Sequence, residues 1–168
     1  MMEEADEKIV KGLESAIELE MAGQKFYREA AERTADENGT EMFNFLADEE
    51  AEHESLLREK YVEIVGEDYE GGEDLEEVVI GRVFSERVSG GASGKGSDDL
   101  DALNIGINAE KESIELYGRL KKEAEDEELQ DTFEMLVEAE ERHLSLLETQ
   151  VEFITETGEW HDFGTITA

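Results

Sequence analysis

Six side chains of this chain have the types and spacing to hold metal ions. Glu20, Glu50 and His53 recur ninety positions later as Glu110, Glu140 and His143. Carboxylates and imidazoles are donors that iron, manganese and zinc accept, and four carboxylates with two imidazoles suffice for a pair of such ions inside a helix bundle. Glutamate is abundant, with 37 in the chain, so Glu-x-x-His alone carries little weight. Position gives the motif its force. Residues three apart on a helix project from neighbouring points of one face. Glu50 and His53 lie between Leu46 and Leu57, and Glu140 and His143 between Leu136 and Leu147, so that face is an apolar stripe. Glu20 and Glu110 replace apolar residues in stripes of their own. Carboxylates converging in a dry core each cost several kcal/mol if unpaired. No lysine or arginine stands on these stripes near that level, which leaves metal cations as the compensation.

The elements that must position these groups repeat with the same offset. Leu13/Leu103, Ile17/Ile107, Tyr27/Tyr117, Phe43/Phe133, Leu46/Leu136, Leu57/Leu147 and Ile64/Ile154 match without a gap, so the chain is two copies of one unit. Apolar residues step by threes and fours over about 7–33, 40–65, 97–124 and 127–157, which predicts four long helices. The chain has no proline to interrupt them. Short links, 34–39 with Gly39 suited to a helix end and 125–127, make each pair an antiparallel hairpin. The expected organisation is a single all-α domain: hairpin 7–65, crossover linker 66–96, hairpin 97–157 and tail 158–168. The middle of the linker, 75–84, is apolar enough to pack as a short helix, and its end, 89–96, is flexible by composition. About thirty residues can cross the length of a ~40 Å helix. The same linker could instead let hairpins pair between two chains, so a homodimer, with or without domain swapping, is expected. The tail, with Trp160 and Phe163, is expected to cap the bundle. His161 lies outside the repeat and reads as a tail residue rather than a ligand.

Tyr27 and Tyr117 each follow a candidate ligand by seven residues, two helical turns along the same face. They read as core residues whose hydroxyls reach a carboxylate of the opposite hairpin; supplying an electron is the further role open to them.

Bulk properties narrow the function classes. The 168 residues carry 48 acidic and 15 basic side chains, for a net charge of −33. Such a surface repels nucleic acid and anionic membrane. It fits a salt-rich cytoplasm, where screening removes the self-repulsion, and the lysine count of only eight points the same way. No cysteine is present, which excludes disulfides, thiolate zinc sites and iron–sulfur clusters. The first residues are acidic and lack the pattern of a secretion signal, and no apolar run is long enough to span a membrane. A cytoplasmic protein of a salt-adapted organism is expected.

Glu20-x6-Tyr27 followed by Glu50-x-x-His53, repeated as Glu110-x6-Tyr117 and Glu140-x-x-His143, resembles the ferritin-like di-iron proteins, and among them the rubrerythrin branch. The stretches Ala16-Ile17-Glu18-Leu19-Glu20 and Phe26-Tyr27 are similar to that branch's first helix, and 110–117 to the start of its second hairpin. The resemblance leaves out the linker and the tail. It implies a ferritin-like four-helix bundle with two iron ions, Glu20 and Glu110 as terminal ligands, Glu50 and Glu140 as bridges, and one histidine per ion. Two departures stand out. Rubrerythrins proper add a cysteine-bound iron domain that delivers electrons, so a separate electron-donor protein is expected here. They also carry an extra carboxylate one turn after the third-helix glutamate, where this chain has Ser113, with Gly23 as its counterpart. Glu112 and Glu115 point roughly 140° or more away from Glu110 and are poor substitutes. The six-ligand site thus resembles the bacterioferritin type as much. Three functions follow: an oxidoreductase reducing peroxide or oxygen, a ferroxidase passing iron to storage, and a helical bundle whose metals, manganese or zinc included, are structural.

Overall fold

The stripe residues form four helices in the computed structural model, which describes residues 4–71 and 97–164. They are α1 (Glu4–Arg33), α2 (Glu37–Val65), α3 (Ser97–Glu123) and α4 (Glu127–Thr157). The fold is the four-helix, ferritin-like bundle that the periodicity and the resemblance predict. The linker segment 75–84 lies outside the described residues.

Helix ends follow local chemistry. Asp36 caps α2, its carboxylate accepting from the backbone amides of Asn38 (2.8 Å) and Gly39 (3.4 Å). Asp126, ninety residues on, caps α4 through the amide of Leu129 (2.9 Å). Gly66 and Gly158 close α2 and α4 in the left-handed conformation, at φ 91° and 79°. Asp98 and Asp99 at the start of α3, and Lys121 and Lys122 at its end, oppose its dipole. Gly39 is a correction. It sits inside the first turn of α2, because Asp36 satisfies the first amides and starts the helix earlier. A Cβ there would lie 2.9 Å from the Trp160 ring, so glycine makes room for the tail.

Within each hairpin the two helices pack along their length, and across the hairpins α1 and α3 approach closely while α2 and α4 touch less. Small residues allow the α1–α3 approach. A Cβ on Gly12 would overlap the Leu120 side chain, and one on Gly106 would press on the Tyr27 hydroxyl at 3.2 Å.

The core divides into two main apolar clusters that exchange the members of each repeated pair. Leu13, Ile17, Leu57, Tyr117, Phe133 and Leu136 share one cluster. Leu103, Ile107, Leu147, Tyr27, Phe43 and Leu46 share the other. That exchange is the signature of a pseudo-twofold axis across the bundle. Each fully buried leucine or phenylalanine contributes roughly 1.5–3 kcal/mol, and the polar residues of the repeat lie in the level between the two clusters.

The tail folds back on one end. Trp160 packs edge-on against Phe43, with ring centroids 5.7 Å apart, and donates from Nε1 to Asp99 (2.9 Å). Gln150 and the backbone of His161 exchange hydrogen bonds of 3.1 and 2.9 Å. Trp160→Ala removes a buried indole that ties the tail to both hairpins. Thermal unfolding is expected to shift down by roughly 5–10 °C, the effect of a large aromatic truncation in a chain of this length. An unchanged midpoint would mean that the tail adds nothing to the fold.

Among the described residues no helix is long and apolar enough to cross a membrane.

Candidate metal centre

Each of the four helices carries its share of the polar level. Glu20 comes from α1, Glu50 and His53 from α2, Glu110 from α3, and Glu140 and His143 from α4. All six are buried, none more than 8% exposed. The six candidate residues of the sequence therefore converge at one place.

Their donor atoms divide into two overlapping groups. Glu20, Glu50, His53 and Glu140 form one, and Glu50, Glu110, Glu140 and His143 the other. Within each group one ligand atom per residue lies within 4.8 Å of all the others. Glu50 and Glu140 belong to both. Nδ1 of His53 faces oxygens of Glu140 (3.0 Å), Glu50 (3.3 Å) and Glu20 (3.6 Å). Nδ1 of His143 faces Glu140 (3.1 Å), Glu50 (3.4 Å) and Glu110 (3.6 Å). The imidazoles lie nearly parallel, with centroids 5.6 Å apart. The symmetry read from the repeat is thus present in the geometry.

The tyrosines bind the hairpins together at this level. Tyr27 on α1 donates to Glu110 on α3 (2.7 Å), and Tyr117 on α3 donates to Glu20 on α1. Each bond fixes one carboxylate oxygen. Burial pushes both phenols well above their ordinary range, and the charges of the neighbouring glutamates add to the effect, so both hydroxyls keep their protons. His161 lies apart from the cluster, its ring packed edge-on against Phe153.

Without cations, protons do the neutralising. Burial pushes Glu50 and Glu140 well above the carboxylate range, reinforced by the charges around them. Burial also works on Glu20 and Glu110, but it is outweighed by hydrogen bonds from neighbouring carboxyls, histidines and tyrosines. Glu20 is lowered, and Glu110 falls to about 2. Burial opposes charging of His53, yet hydrogen bonds to Glu140, Glu20 and Glu50 raise it to about 12; His143 is raised for the same reason. Two anionic carboxylates then balance two imidazolium rings, with two carboxylic acids between them. Two divalent cations would balance four carboxylates with all four protons gone.

The residues fit such a pair. Glu110 Oε2 is buried with no hydrogen-bond partner. An orphaned buried carboxylate oxygen inside a set of four carboxylates and two imidazoles is the donor chemistry of a transition metal. A cavity of about 10 Å³, bordered by Glu20, Gly23, Glu110 and Ser113, opens beside the group between α1 and α3. It has room for about one water. Ser113 and Gly23 are what leave that space.

Some neighbours escaped the sequence reading. Glu49 lies 3.9 Å from Nε2 of His143. Gln24 on α1 donates to Glu54 on α2 (2.6 Å), which in turn accepts from Arg58 (2.6 Å). Arg58 also donates to the backbone oxygen of Tyr69 (2.7 Å), whose hydroxyl donates to the buried Glu18 (2.8 Å). Apart from the i,i+4 pair of Glu54 and Arg58 within α2, these contacts join different elements, and no spacing along one helix signals them.

Comparison with known proteins agrees with this geometry. Among curated proteins none matches the chain. A hypothetical protein from Pyrococcus furiosus shares the structure with a TM-score of 0.73 and 25% identity, over 92% of this chain and 94% of that one. A ferritin-like, diiron-carboxylate protein from Bacillus anthracis str. Ames aligns with a TM-score of 0.66 and 17% identity, over 89% of this chain and 99% of the other, and supports the fold. The rubrerythrin family model matches residues 11–150, a span that runs from before Glu20 to beyond His143. Fold, carboxylate–histidine cluster and matched span agree: the chain belongs to the rubrerythrin family.

Proposed function

We propose that this protein binds two iron ions and reduces peroxide with them. The observation that carries the reading is the pair of donor groups sharing Glu50 and Glu140. Glu20 and His53 would hold one ion, Glu110 and His143 the other, and the two shared glutamates would bridge them. Both imidazoles present Nδ1 to the carboxylates, so Nδ1 would be the atom that holds the ion. A ferrous pair held there would supply the chemistry of a two-electron reductant, with which hydrogen peroxide and two protons would become two waters.

The chain's own residues supply the setting. Tyr27 and Tyr117 occupy one oxygen of Glu110 and of Glu20, which fixes how each terminal carboxylate is turned. A small cavity beside Ser113 opens next to the carboxylates, and the apolar clusters on either side exclude bulk solvent. These 168 residues contain no cysteine to hold a second iron, and a separate donor protein would supply the electrons for further turnover.

Rapid mixing tests the reading. Protein loaded anaerobically with ferrous iron is mixed with equal concentrations of peroxide or oxygen, and the growth of ferric absorbance is followed. Faster oxidation by peroxide, stopping after one cycle unless a reductant is added, is the expected result. Faster oxidation by oxygen, with iron accumulating well beyond two per chain, would move the assignment to ferroxidase and storage. No response to either oxidant would leave a structural metal.

A further inference from the structure

The repeat surrounds the two imidazoles with matching groups, and position 49 breaks the match. Glu49 in the first copy corresponds to Ala139 in the second. Glu49 precedes Glu50 on α2, and its Oε1 lies 3.9 Å from Nε2 of His143 on α4. That nitrogen is buried and has no hydrogen-bond partner. Nδ1 of the same ring is directed at Glu140, Glu50 and Glu110. The ring therefore stands between the carboxylate cluster on one side and a lone carboxylate on the other. The Glu49 side chain is 33% exposed, so a change of rotamer can close the gap to hydrogen-bonding distance. Ala139 has no side-chain polar atom to offer His53.

We propose that Glu49 is a positioning residue for His143, accepting a hydrogen bond from its Nε2–H and so making the ion held by Glu110 and His143 the tighter of the two. The inference rests on the di-metal reading above. The physics is that of an imidazole backed by a carboxylate. Accepting this hydrogen bond keeps the proton on Nε2 and so leaves Nδ1 free to ligate, holds the ring plane, and makes Nδ1 a stronger donor. His53, with alanine at the corresponding place, lacks this support. Two halves that look equivalent in their six ligands thus differ in affinity.

Cobalt(II) titration of the full chain, followed by visible absorption, isolates the effect. His53→Ala leaves the Glu110–His143 half, and His143→Ala leaves the Glu20–His53 half. In the His53→Ala background, Glu49→Gln is expected to weaken the remaining ion about 10-fold or more, the scale of losing a carboxylate behind a ligand histidine. In the His143→Ala background, it is expected to do no more than Glu52→Gln, which removes an equal charge from an exposed place on the same helix. Equal weakening in both backgrounds would be a general charge effect and would overturn the inference. No weakening in the His53→Ala background would overturn it as well. Unmodified protein that binds no cobalt pair would instead overturn the di-metal reading itself.

Discussion

Adding two equivalents of ferrous iron anaerobically to the metal-free protein is expected to release up to about four protons and to raise the unfolding midpoint by about 10 °C or more. The proton count follows from the two charge states of the centre. Metal-free, Glu50 and Glu140 hold protons far above the ordinary carboxylate range, and both histidines are held in the charged form. Ligation requires all four groups deprotonated. The sign is fixed: the metal-free state carries more protons than the metal-bound state, so affinity rises with pH and falls as the medium is acidified. The His53 imidazolium adds to metal-free stability fully below its unfolded pKa of about 6.5, and loses that contribution only as pH rises through about 12. At neutral pH the ions must therefore displace that proton. Saturation to a hundred times the dissociation constant contributes about 2.7 kcal/mol per site, and two sites give the midpoint shift stated for a chain of this length. Titration in weak buffer with a pH indicator, beside thermal melts at pH 6 and pH 8, measures both quantities. Binding without proton release, or a midpoint shift larger at pH 6 than at pH 8, would contradict the charge states described.

Much of this centre was legible from spacing because a helix converts sequence distance into direction. Glu50 and His53 had to share a face, and that face had to be apolar, so burial of both followed. The ninety-residue offset carried the same inference to Glu140 and His143, and the twofold exchange of Leu13/Leu103 and Phe43/Phe133 between the core clusters is its structural counterpart. Tyr27 and Tyr117 were placed near carboxylates by the same logic, and their bonds cross to Glu110 and Glu20. Spacing fails where the partner belongs to another element. Nothing along α2 says that Glu49 stands behind a ring of α4, and the only trace in the sequence is its mismatch with Ala139. Gly39 misled for a related reason. Glycine favours helix ends on average, but Asp36 offered a better cap, and Trp160, 121 residues further along the chain, needed the space that glycine leaves. The Arg58–Tyr69–Glu18 clamp joins α2 and the start of the linker to α1 with no periodicity to announce it.

Glu140→Ala is expected to bring bound iron close to zero, whereas His53→Ala or His143→Ala should each leave about one ion per chain. The difference follows from how the donor atoms are shared. Glu140 is a member of both groups, its Oε1 facing His53 (3.0 Å) and its Oε2 facing His143 (3.1 Å). On the proposed ligand scheme its removal would leave each ion with one carboxylate fewer and would take away a bridge that screens their mutual repulsion. Each histidine belongs to one group, so its loss strips one ion and leaves three carboxylates around the half that it served. Glu50→Ala should behave like Glu140→Ala, being the other shared residue. Metal analysis after anaerobic loading and removal of free iron gives the ratios directly, and circular dichroism of the metal-free variants establishes that each has folded. The contrast also bears on the charge balance. Glu140→Ala removes the carboxyl group that lies within hydrogen-bonding distance of Nδ1 in both imidazolium rings, so the metal-free variant should melt lower than the metal-free parent below the pH at which the rings lose their protons. Retention of one ion by Glu140→Ala, or loss of both by His53→Ala, would break the assignment of Glu140 as the shared ligand.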